Sequence, residues 1–183
     1  MEDIIDAPAS PRAQALELWD ELKPYRFEDR LHLIRTYRRF VIREFCELLC
    51  QESTRLTTVE PERAVEVAEL AVVVAELSKG DGDCRKCYQL RGYAWAHDGN
   101  ARRVLGDLRN AEESFNIACD WWEAGTVGIG DLFAYEPAIL EHKASLQIAQ
   151  RRFPEAFETL DRMFALYMEG RRAELRDNHL AGR

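Results

Sequence analysis

The sequence predicts an all-α domain built as a short solenoid of antiparallel helical hairpins. Three observations carry this reading. Apolar residues recur at steps of three and four through most of the chain, the spacing of one helix face. Helix-start and turn signals, above all Pro61, Pro154 and Gly106-Asp107, separate those stretches. No segment alternates apolar and polar residues with β-branched enrichment between turn signals, so no sheet is expected. A chain of 183 residues, 46% apolar and 32% charged, is long enough to bury one core and too apolar for a disordered segment.

From the N-terminus, Ser10-Pro11 opens a cap helix over 11–23, with Ala15, Leu16, Trp19 and Leu22 inward and Pro24 as its stop. A first hairpin over 29–78 follows. Its long first helix is striped by Leu31, Ile34, Tyr37, Val41, Phe45 and Leu48. Its second opens at Pro61 and carries a ridge of small residues, Ala64, Ala68, Ala71 and Ala75. The second hairpin, 84–124, turns at Gly106-Asp107. Before the turn, Trp95, Gly99 and Ala101 set small residues beside a large one; after it, Leu108, Ala111, Phe115, Ala118 and Trp122 form a stripe. The third hairpin, 133–170, carries Leu140, Ala144 and Ile148 on its first helix. Pro154 opens the second, with Phe157, Leu160, Phe164 and Tyr167 on one face. Residues 171–183 read as a partial helix docked back on that face, so that Leu175, Leu180 and Ala181 cover Phe164 and Tyr167.

In the middle hairpin, Trp95, Gly99, Gly106, Ala111, Phe115 and Ala118 follow the large-and-small pattern of a known repeat, and over 92–125 the chain resembles the tetratricopeptide family. The likeness is partial over 137–170, where Leu140, Ala144, Ala156 and Leu160 fit and Met163 replaces a small residue. Over 45–78 it rests on Ala64 and Ala71. Arg102 stands where an aromatic is usual, and Glu123 and Met168 where proline often closes a unit. Ala64, Ala111 and Ala156 stand 47 and 45 residues apart, against about 34 in that class. Connectors rich in glycine and aspartate at 78–83 and 126–136 absorb the excess.

Charge narrows the function classes. A formal net charge of −8 and a pI near 5.1 repel phosphate backbones, so nucleic acid is not an expected partner. The most apolar run, 65–77, is broken by Glu66, Glu69 and Glu76, so no membrane span is expected. The acidic N-terminus lacks the pattern of a secretory leader, which implies a cytoplasmic protein with its five cysteines reduced.

Four constellations are candidates for chemistry. Cys84 and Cys87 have the spacing of a zinc or redox motif, and Cys46 and Cys50 offer further thiolates. No second paired motif follows, so Cys46, Cys50 and Cys119 read as core residues, Cys84 and Cys87 as a helix start, and no metal or other cofactor is expected. His97-Asp98 has the composition of a catalytic dyad, but neighbouring helical residues point about 100° apart. Gly128-Ile129-Gly130-Asp131 lacks the rest of a phosphate loop and reads as a connector. By the resemblance, the first helices of the hairpins line a concave groove. Tyr93, His97, Asn100 and Arg103 then face a protein or peptide partner in the middle unit, and Glu141, His142 and Ser145 in the third. These faces are expected to be solvent-accessible. Arg35, Arg39 and Arg43, one turn apart, form a second candidate face for an acidic partner segment.

The function expected is a non-catalytic scaffold or adaptor, with self-association through the C-terminal end as a further expectation. The runner-up is a regulatory or sensor module forming the N-terminal part of a longer repeat protein. A metal-dependent enzyme comes third.

Overall fold

The computed structural model describes residues 10–78, 84–125 and 135–181, with the side chains of Cys84 and of 170–181 outside the description. Among the described residues eight helices follow in order: α1 (Pro11–Leu22), α2 (Phe27–Thr36), α3 (Arg43–Leu56), α4 (Pro61–Leu77), α5 (Cys84–Leu105), α6 (Leu108–Gly125), α7 (Glu136–Ala149) and α8 (Phe153–Ala181). A 3-10 turn, Arg38–Phe40, lies between α2 and α3. No strand occurs in the described residues. The helices pack as sequential pairs, α3 on α4, α5 on α6 and α7 on α8. Among the first helices α5 also packs against both α3 and α7, while α1 packs on α3 and α2 on α4.

Each junction has a local cause. Ser10 accepts the Ala13 N–H at 3.2 Å, and Pro11 sits where no donor is needed, so α1 starts there. The C-terminal carbonyls of α1 are satisfied from α2. Arg30, 6% exposed, donates Nε to the Leu22 carbonyl at 3.2 Å and Nη2 to that of Lys23 at 2.8 Å. Its guanidinium also lies 5.7 Å from the Trp19 ring centroid. Arg30→Ala is therefore expected to cost about 2 kcal/mol in chemical denaturation, the scale of buried bonds to a charged donor. An unchanged midpoint would mean that the apolar face of α1 alone holds it.

The long first helix expected over 29–48 is not formed. The chain leaves the helix at Tyr37, turns through Arg38–Phe40 and re-enters at Arg43. Aromatic and β-branched residues, Tyr37, Phe40, Val41 and Ile42, cluster there and are weak helix formers. The turn places Phe40 at 0% exposure, with its ring centroid 6.0 Å from that of Phe45.

Close approach sets the register of the pairs. Ser53 Oγ donates to the Ala64 carbonyl at 2.9 Å and Cys46 Sγ to that of Ala71 at 3.4 Å, so α3 and α4 touch through small residues. Between α5 and α6, a Cβ added at Gly99 would stand 2.8 Å from the Phe115 ring. Asp98, 1% exposed, accepts from Arg102 Nε at 2.7 Å and Ser114 Oγ at 2.6 Å; Arg102 also reaches Glu69 on α4 at 2.6 Å. Arg102 thus ties α5 to α4, and Asp98 ties α5 to α6.

Two turns share one geometry 45 residues apart. At Gly106 (φ 92°) the next N–H, of Asp107, reaches the Arg102 carbonyl at 2.9 Å. At Arg151 (φ 62°) the N–H of Arg152 reaches the Gln147 carbonyl at 2.8 Å. Leu16 and Ile148, read as inward, are 48% exposed; Leu18 and Leu146 take the buried positions. The fold-back of 171–183 does not occur either, because α8 runs unbroken to Ala181. Phe164 and Tyr167 remain 65% and 68% exposed. The connector readings at 79–83 and 126–134, Gly128-Ile129-Gly130-Asp131 among them, lie outside the described residues, as do the side chains of Leu175, Leu180 and Ala181.

Candidate functional site at the meeting of the first helices

The first helices bring one aromatic and imidazole cluster together. Tyr135, the residue before α7, stacks on Tyr93 of α5 at 4.5 Å between ring centroids. The Tyr93 ring meets His97 edge-on at 4.4 Å, and His97 meets His142 of α7 edge-on at 4.8 Å. The Tyr135 hydroxyl donates to Glu47 and accepts from Arg43 Nε at 2.8 Å, so α3 closes the cluster at one end. At the other end, Asn100 Oδ1 accepts from Arg103 Nη2 at 2.8 Å.

Thr54 Oγ1 lies 3.1 Å from the Cys50 carbonyl and 3.0 Å from His97 Nδ1, so α3 also reaches the first imidazole. Both His97 Nε2 and His142 Nε2 are buried without a hydrogen-bond partner. Burial, then the neighbouring His142, holds His97 well below the ordinary histidine pKa. Burial, then the Arg103 charge, pushes His142 down to about 4. Both rings are therefore neutral at pH 7. Burial also raises the phenols of Tyr93 and Tyr135.

The expected open face is thus corrected in part. His97 and Asn100 are each 5% exposed, His97 with the His142 ring of α7 against it; Tyr93, Arg103, His142 and Ser145 are half-buried, and Glu141 is exposed. The basic stripe is not one stripe. Arg35 ends on α2, Arg39 on the 3-10 turn beside Glu21 and over the Phe40 ring, and Arg43 at the start of α3. Arg35 lines a cleft of about 330 Å³ with Leu31, Val72, Trp95 and Arg102. Arg43 instead joins the tyrosine cluster. Sequence reasoning missed Tyr135 and Thr54, which reach the cluster from non-local positions. His97 and His142 stand 45 residues apart, the same interval as Ala111 and Ala156, and that shared interval was a signal for the pair.

The other candidates lie apart. His97 and Asp98 bond to different neighbours, Thr54 for one and Arg102 with Ser114 for the other. Cys46 and Cys50 are buried free thiols, Cys87 is a half-buried one, and the side chain of Cys84 is outside the described residues. Among the described residues no three histidine, cysteine or acidic side chains are grouped to hold a metal ion. No helix of the described residues is long and apolar enough to cross a membrane. No protein-family model, curated protein or solved structure matches the chain.

Proposed function

We propose that the chain is a tetratricopeptide-like scaffold that holds a protein or peptide segment along the face shared by α3, α5 and α7. One observation carries this reading. Three successive first helices converge on Tyr93, Tyr135, His97 and His142, where two buried imidazole nitrogens lack partners. Aromatic rings with few, well-placed polar atoms suit peptide recognition, and a buried polar atom without a partner favours a ligand that brings one. The half-buried Arg103, with Glu141 exposed nearby on α7, supplies charge at the edge of that face. The family rests on the pattern of large and small residues and on the sequential pairing of helices. Fold alone does not assign a partner.

Affinity capture from the source cells tests the reading. The wild-type chain is expected to retain one protein in near-equal amount, and Arg103→Glu is expected to lose it with an unchanged melting midpoint. Equal capture by both chains would remove this face from the account. A large fall in the midpoint would return Arg103 to a structural role.

The buried histidine pair also favours a second reading, a regulatory module whose α5–α7 contact responds to acid. That reading makes binding through this face pH-dependent, which capture at pH 7.5 and pH 5.5 distinguishes.

A further inference from the structure

The cleft of about 330 Å³ opens where α2 and α5 both pack on α4. That volume lies at the small end of ligand pockets, which span about 300–1,000 Å³. Its walls come from three helices: Leu31 and Arg35 from α2, Val72 and Val73 from α4, Trp95 and Asp98 from α5. At about 100° per residue, Trp95 and Asp98 stand on the opposite side of α5 from Tyr93, His97 and Asn100. The cleft is therefore separate from the tyrosine and histidine cluster.

Two polar atoms of its wall residues are left over. Trp95 Nε1 is a donor and Asp98 Oδ1 an acceptor, and each is buried with no hydrogen-bond partner among the described residues. The other Asp98 oxygen already accepts from Arg102 and Ser114, and Arg102 also reaches Glu69. Buried polar atoms are paired as a rule, so one orphan of each kind matches a ligand that brings both an acceptor and a donor. Charge narrows the choice. The Asp98, Arg102 and Glu69 triad holds two carboxylates against one guanidinium, an excess of negative charge to which the exposed Glu76 at the rim adds. Arg35, also exposed at the rim, forms no ion pair with another described side chain. A cation beside Asp98 and an anion beside Arg35 therefore complement the cleft.

We propose that this cleft binds a free amino acid with an apolar side chain. The ammonium donates to Asp98 Oδ1, and the carboxylate accepts from the Arg35 guanidinium and the Trp95 indole N–H. The side chain packs on Leu31, Val72 and Val73, the apolar part of the wall. Such a ligand carries both charges on one carbon, so it meets both orphans within a body small enough for the volume. A peptide terminus brings one of the two charges and leaves the other unanswered. The site lies on α2, α4 and the far side of α5, and the proposal does not depend on the scaffold reading.

Titration of the isotope-labelled full chain with millimolar L-leucine, L-methionine and L-phenylalanine, followed by proton–nitrogen NMR, tests it. Of the four tryptophan indole signals, the one lost in Trp95→Phe belongs to Trp95. That signal is expected to move saturably with at least one of the three. N-acetyl and amide derivatives of that amino acid, each missing one charge, are expected to bind about ten-fold more weakly. Arg35→Ala should weaken the parent amino acid about ten-fold without shifting the melting midpoint, since its side chain meets water at the rim. A Trp95 signal that moves with none of the three overturns the proposal and leaves the cleft to water. Equal affinity for either derivative overturns the pairing of both charges. Binding indifferent to Arg35→Ala places the ligand elsewhere and overturns it too.

Discussion

Phe115→Ala is expected to lower the free energy of unfolding by about 3–5 kcal/mol, the range for emptying a buried aromatic site. Phe115 is 2% exposed and central to the stripe of α6, between Ala111 and Ala118, both at 0%. Its ring also defines how closely α5 can approach. A Cβ at Gly99 would stand 2.8 Å from two atoms of that ring and 3.2 Å from the Ala111 carbonyl oxygen. Gly99→Ala alone should therefore overpack the contact at a cost of about 1–3 kcal/mol. With Phe115 already truncated, the added methyl meets a cavity instead, so the two losses should not add. Urea titrations of the four chains measure the coupling. Strict additivity would mean that the α5–α6 contact is not set by this ring against this glycine.

The second large effect is acid sensitivity through His142. In the unfolded chain a histidine titrates near 6.5, whereas burial and the Arg103 charge hold His142 at about 4 in the folded protein. The folded pKa is the lower one, so on acidification the unfolded chain takes up the proton first. Stability from the neutral ring is whole above about pH 7, falls as pH drops from 6.5 towards 4, and levels off below that. The span corresponds to about 3 kcal/mol. His97 shifts in the same direction, with burial first and His142 second among the causes. Carboxylates titrate in the lower part of that window, so the test compares the wild type with His142→Phe, which keeps a ring against His97. The variant should lose much less stability between pH 7 and pH 4.5. Equal losses would mean that His142 is already open to water in the folded chain.

The helix starts at Pro11 and Pro61 and the α5–α6 turn were legible because proline and glycine act locally, through a missing donor or a positive φ. The break at Tyr37–Ile42 was not, because the apolar steps of three and four run straight through it. Only the cluster of aromatic and β-branched residues marks the site, and burial of Phe40 decides the outcome. The turn at Arg151 was hidden for the opposite reason: arginine there adopts the conformation that glycine usually signals. The run of α8 past Gly170 was misjudged because a glycine within a helix weakens it without ending it.

The candidate site was legible in membership and illegible in depth. Steps of three and four put Tyr93, His97, Asn100 and Arg103 on one side of α5, and that side does meet His142. Periodicity cannot tell whether another helix will lie over that side, and α7 packs on α5 with His142 against His97, which is 5% exposed. Tyr135 and Thr54 reach the cluster 42 residues after Tyr93 and 43 before His97. Contacts of that separation leave no local pattern in the chain.

The docking claim is tested most directly by a photo-crosslinking amino acid placed in living source cells. One chain carries it at Glu141, exposed on α7 beside the histidine pair, and another at Asn116, exposed on α6. The account predicts a single crosslinked protein from position 141, none from position 116, and loss of the product when Arg103→Glu is added. Crosslinking from position 116 with none from position 141 would contradict it.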